Sequence, residues 1–153
     1  MQTMHAKDAI SGKLGEAWLT TKDGERLLLM QLIKIEASIE KTKTEVPILG
    51  RTGKGNKSTG WSGSGSATIH YVTSRFRQML LDFKNTGQDT YFDLQLTNED
   101  PTSSVGRQTV ILKDCNLDGG ILAKLDTEAD YLDEEISFTF EDFEMPEKFT
   151  ELA

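Results

Sequence analysis

The stretch IKIEASIEKTKTEVPILGRTGKGNKSTGWSGSGSATIHYV, residues 33–72, decides how the rest of the chain is read. Its first part alternates, with Ile33, Ile35, Ala37 and Ile39 interleaved with Lys34, Glu36, Ser38 and Glu40. Its last part alternates again, Ala67, Ile69 and Tyr71 standing between Thr68, His70 and Val72. A period of two on both sides marks two half-buried strands. Between them, residues 41–65 are basic, rich in glycine and serine, and poor in apolar side chains. This composition predicts a long connection, well beyond a tight hairpin. Connections of that length in compact domains usually bind something or stay mobile.

On the N-terminal side, residues 1–12 read as an irregular arm, with Ser11-Gly12 and Gly15 as turn signals. Residues 16–20 form a strand with Ala17 and Leu19 on one face and Trp18 on the other. Asp23-Gly24 supplies the positive-φ positions of a hairpin turn, and residues 27–40 continue as a strand bent or bulged near Gln31. On the C-terminal side the period changes. Phe76, Met79, Leu80 and Phe83 recur at i, i+3, i+4 and i+7, which predicts an amphipathic helix over 74–84. Thr73 or Ser74 can cap it and Gly87 can end it, leaving Arg75, Arg77, Asp82 and Lys84 toward solvent.

Further strands are expected at 89–96, 107–114, 121–125 and 135–143, the last with Ile136, Phe138 and Phe140 on one face. Turns are expected at 97–106 and 116–120, and at 144–153 a tail that is loose or packed only through Phe149. Six or seven strands and one helix without βαβ alternation give a mainly β fold. The expected architecture is an antiparallel β-sandwich or partly open barrel with one flanking α-helix, in a single domain.

A chain of 153 residues is long enough to bury a core without covalent staples. Cys115 is the sole cysteine, so no internal disulfide forms. No apolar run is long enough to cross a bilayer, and no secretory signal or membrane partner is expected. The net charge of -8 is unevenly spread. Residues 124–153 hold 11 acidic and 2 basic side chains, whereas 41–57 hold Lys41, Lys43, Arg51, Lys54 and Lys57 against Glu45 alone. An acidic C-terminal part argues against wrapping nucleic acid, and the opposed signs suit contacts between copies of the chain.

No catalytic constellation emerges. Residues 50–58 resemble a phosphate-binding loop, but Asn56 separates Gly55 from Lys57, and the serine- and glycine-rich continuation cannot open the required helix. His5, His70 and Cys115 share no metal-ligand spacing, and Cys115 with His70 as base lacks a supporting motif. Asp126, Glu128, Asp130 and Asp133 do not match a calcium loop. The chain is therefore not expected to be an enzyme, nor to carry a cofactor, metal or catalytic residue. Trp61 stands out, because a tryptophan among glycines and serines is expected to anchor on a surface of this chain or of another subunit.

Ordered segments along nearly the whole chain carry a resemblance. They are ISGKLGEA at 10–17, the Asp23-Gly24 hairpin, EVPILG at 45–50, GWSGSGSATI at 60–69, the helix after Val72-Thr73-Ser74, and SFTFED at 137–142. Together they resemble the core tail tube proteins of contractile phage tails, in the version of the PBSX-like prophages (the XkdM family). The resemblance implies a tail-tube-like fold and a structural subunit of a phage or phage-like particle. It also implies hexameric rings, stacked into an inner tube that conducts DNA or effectors. Implied partners are further copies of the chain, the sheath protein, and the tape measure and baseplate proteins, with DNA passing without sequence-specific binding. The implied location is the virion tail, after synthesis in the bacterial cytoplasm. On this basis Arg51, Lys54, Lys57 and Trp61 are candidate inter-ring contacts. Alternatives are a minor tail or baseplate ring protein of the same fold, or a non-enzymatic sandwich with Trp61 as a stacking platform for carbohydrate or peptide.

Overall fold

A computed structural model describes residues 1–152. In chain order the elements are β1 (Gly15–Thr21), β2 (Arg26–Leu28), β3 (Leu32–Val46), β4 (Gly55–His70), α1 (Arg75–Thr86), β5 (Phe92–Glu99), β6 (Arg107–Gly119), β7 (Asp133–Phe140) and β8 (Asp142–Glu147). A single 3-10 turn at Ala6–Asp8 precedes them. All strand pairings are antiparallel, in the order β2-β1-β5-β6-β7-β4-β3, with β8 also on β6, and the sheet does not close into a barrel.

β6 and the continuous run β7–β8 form the corner of this sheet. β6 pairs with β5 as far as Cys115 and with β8 on its other side as far as Lys113; from Asn116 onward it pairs with β7. Asp114 has φ 54, and the backbone amide of Glu141, between β7 and β8, donates to the Lys113 carbonyl. The bend divides the strands into a first half-sheet, β2-β1-β5-β6-β8, and a second, β6-β7-β4-β3. Ala17, Leu19, Phe92, Leu94 and Leu112 from the first share one core with Ala67, Ile69, Ile136, Phe138 and Phe140 from the second.

Helix α1 closes that core with Phe76 and Met79. Ser74 is its N-cap residue, and Gly87 ends it at φ 74, where its amide donates to the Phe83 carbonyl. The expected helix is therefore present. Arg77, however, is not a solvent-side residue. Its guanidinium lies over the Tyr71 ring, donates to the Thr73 carbonyl and pairs with Glu134, which is 2% exposed. Oε1 of Glu134 has no hydrogen-bond partner among the described residues.

The region 41–65 differs most from its sequence reading. It is not a long loop: β3 and β4 stay paired out to Val46 and Gly55, and only residues 47–54 turn between them. Backbone hydrogen bonds make this ribbon, so it needs no alternation of apolar side chains where both faces meet water. The glycines have a packing reason. A Cβ on Gly65 would lie 2.5 Å from Cζ of Phe138 and 2.6 Å from the Glu36 carbonyl oxygen, and one on Gly63 would enter the Phe140 ring. Gly-Ser alternation thus seats two phenylalanines on the inner face and sets serines on the outer one.

Other boundaries also moved. The 27–40 stretch is two strands, broken at 29–31, with Ile33 exposed at a register shift. The expected turn at 116–120 continues β6 to Gly119, while 121–125 forms no strand. The tail expected to be loose contains β8, held on β6 by main-chain pairing that Pro146 does not prevent. The N-terminal arm is irregular, but it is fastened by the Ser11 amide to Asp100 and by Ser103 and Ser104 to Asp8.

Candidate assembly surfaces

The β3–β4 ribbon is the first surface. β7 accompanies β4 only from Gly63 onward, so Gly55–Ser62 has β3 as its single neighbour. At the usual rise per residue this two-stranded arm projects about 25 Å beyond the second half-sheet. Isolated hairpins are marginal in water, so such an arm gains by lying on another surface. Its tip is apolar as well as basic, with Leu49 fully exposed and Ile48 and Val46 partly so.

The four contact candidates do not form one cluster. Arg51 and Lys54 sit in the tip turn, Lys54 within 3.7 Å of Glu45, and Lys57 lies in β4 opposite Thr44. Trp61 stands at the base of the arm. Its ring centroid is 5.9 Å from Phe143, edge to face, and 6.2 Å from Phe140, and 43% of the residue remains exposed. One side of Trp61 is thus anchored within the chain. The sequence could not have singled out Phe140 and Phe143 as its partners, because they are about eighty residues away.

The second surface is the outward face of the second half-sheet. Residues directly opposite one another share a face, so the register reads out whole rows. Glu36 faces Ser66 and Ser137; Ser38 faces Ser64, Thr139 and Asn116; Lys34 faces Thr68 and Glu135; Glu40 faces Ser62. These side chains and Asp118, which lines a shallow groove with Ser64, Ser66 and Ser137, make a carpet of hydroxyls and carboxylates. Lys34 is the lone cation in these rows and lies 3.5 Å from Glu36. The third surface is the outer edge of β3, which pairs with no strand among the described residues. An unpaired edge of 15 residues is a template for a further strand.

His70 ends β4 against the Tyr131 ring, 5.3 Å between centroids, while Cys115 lies fully buried opposite Phe92 with its Sγ toward the Leu112 carbonyl. The structure does not bring them together. Burial, reinforced by the charge of Asp93, pushes the Cys115 thiol up to about 12. At pH 8 its thiolate fraction is then roughly a thousandfold below that of a free cysteine, so a thiol-disulfide reagent is expected to leave the folded protein unmodified and to react fully once denaturant is added.

Comparison with known proteins decides what this fold belongs to. Residues 2–147 match the family model described as phage tail tube protein. The chain belongs to the phage tail tube protein family. It is 42% identical over 148 residues to the phage-like element PBSX protein XkdM of Bacillus subtilis (strain 168), covering 97% of each chain. Among solved structures it resembles a subunit of the sheath/tube terminator of an extracellular contractile injection system, with TM-score 0.67, 12% identity, and coverage of 94% of this chain and 100% of that one. It also resembles the SPP1 tail tube, with TM-score 0.64, 10% identity, and coverage of 90% and 78%. At such low identity the structural matches establish the shared fold, whereas the family match covers nearly the whole chain. The expected resemblance, the mainly β tail-tube-like fold and the place of this subunit among the structural components of a phage-like tail are thereby established.

Proposed function

We propose that copies of this subunit join edge to edge into hexameric rings, and that the rings stack into the hollow inner tube of a contractile tail. The β3–β4 ribbon carries the reading, because one element supplies both an open edge for a lateral neighbour and an arm that leaves the subunit. Each subunit would contribute the four strands of its second half-sheet to a continuous inner wall. Closing such a wall into a ring removes the exposed β3 edge, which a lone subunit leaves unprotected.

In this arrangement the hydroxyl–carboxylate face lines the bore. Carboxylates repel a phosphate backbone and serines offer weak, exchangeable hydrogen bonds, so DNA or an acidic effector slides without sticking. The outer wall would meet the sheath, and the tube ends the baseplate and tape measure proteins. The similarity to a sheath/tube terminator supports this arrangement.

Burial of Cys115, the sole native thiol, makes the bore testable by labelling. In a Ser66→Cys variant, both a small maleimide and a large PEG-maleimide are expected to modify the dissociated subunit. Only the small reagent is expected to modify assembled tubes away from their ends. Equal modification of tubes by both reagents would remove Ser66 from the bore.

A further inference from the structure

We infer that the loop between β6 and β7, residues 122–131, is the acceptor on which the arm tip of a copy in the adjacent ring docks. This rests on the ring-stacking reading above and adds its second half, the receiving surface. The loop exposes Leu122, Leu125 and Tyr131, with Leu125 at 97%, beside Asp126, Glu128 and Asp130. Among the described residues those three carboxylates form no ion pair. Lys124, the neighbouring cation, is already committed to Asp133. The arm presents the converse, exposed Leu49 and Ile48 with Arg51 in the tip turn and Lys57 behind it in β4, while Lys54 lies beside Glu45. Apolar side chains ringed by opposite charge on both surfaces give the complementarity that fixes partner and register.

The positions of the two surfaces select a second copy as the occupant. β4 runs from the arm at Gly55 to His70, and His70 is opposite Asp133, where β7 leaves the acidic loop. Tip and loop therefore stand at opposite ends of a 16-residue strand, about 50 Å apart, and the arm cannot reach the loop of its own chain. Complementary patches at opposite poles make a heterologous contact that repeats without closing along the stacking direction. Within its own subunit the loop is held by Tyr131 against His70 and by Lys124 on Asp133, which leaves its carboxylates facing outward. Stacking makes it the floor that receives the arm above.

Reversing charge on either side and then on both tests this. The loop variant Glu128→Lys/Asp130→Lys and the arm variant Arg51→Glu/Lys57→Glu are each expected to lose at least about tenfold in pelletable polymer. Their thermal melts should match the unaltered chain, because every altered side chain is exposed. A chain carrying all four substitutions is expected to polymerise again. Tubes from the loop variant alone, or no recovery in the combined variant, would overturn the acceptor while leaving ring stacking intact. An unaltered chain that never forms tubes would overturn both.

Discussion

A chain in which Thr42 is joined to Gly60 through Asn-Gly, excising the arm, is expected to fold and to form no tubes. The two residues are direct partners in the β3–β4 ladder, so a two-residue turn can close the shortened hairpin there. The excised residues touch no part of the core, whose β3–β4 contributions are Leu32, Ile35, Ala67 and Ile69. Thermal stability should change by no more than a few degrees. Assembly should fail, because the subunit keeps its lateral edge but loses its reach to the next ring. Isolated rings in negative stain are the expected product. Tubes of ordinary length from this chain would show that the arm is dispensable, and the stacking role would then lie elsewhere on the subunit.

The second large effect lies under the ribbon. Phe138 is fully buried between the glycine seat of β4 and the shared core, and truncating it to alanine is expected to cost about 3–5 kcal/mol. For a domain of this size, about 10 °C of melting temperature should be lost, readable by circular dichroism or calorimetry. Gly65→Ala attacks the same contact from the opposite side. Its new methyl would press on the Glu36 carbonyl as well as on the ring, and the backbone cannot yield as a flexible side chain does. An expected cost of about 1–3 kcal/mol follows from such overpacking. The combined Gly65→Ala/Phe138→Leu variant should cost less than the sum of its parts, since a smaller side chain vacates the space the methyl enters. A Gly65→Ala protein as stable as the parent would refute the packing role of these glycines.

That glycine role is where sequence and structure part most clearly. Glycine and serine in 60–66 are compatible with a mobile loop and with a strand pressed against aromatic rings. The rings that decide between them, Phe138 and Phe140, lie on β7 and are far away in sequence. Main-chain pairing leaves no compositional trace in a ribbon wet on both sides, so the extension of β3 and β4 beyond residues 40 and 66 was hidden. The same blindness explains β8, which looked like a tail because Pro146 and the surrounding acids suggest no core. By contrast, the helix at 75–86 and the Asp23-Gly24 turn were legible because their signals are local: a period of 3.6, a cap, a glycine at positive φ. Arg77 shows the limit of such local signals. Its helical position faces outward by periodicity, yet its long side chain reaches back to Glu134 and Tyr71.

The candidate surfaces divide along the same line. The basic character of 41–57 and the acidity of 124–153 could be counted from the sequence, but not their placement at opposite ends of one strand. Likewise, the carboxylates of the outward face are scattered among β3, β6 and β7, and only the register gathers Glu36, Glu40, Asp118 and Glu135 with the serines of β4. Trp61 stands out in the sequence by its glycine and serine surroundings, whereas the rings it packs on, Phe140 and Phe143, are set by the fold. Its exposed side remains available at the root of the arm.

Electron cryo-microscopy of the purified, polymerised chain tests the central claim most directly. The expected image is a stack of six-membered rings around an open channel, with Ser38, Ser64, Ser66 and Ser137 facing the lumen and each arm crossing into the adjacent ring. A chain that remains monomeric at high concentration, or a tube whose wall turns this face away from the channel, would contradict it.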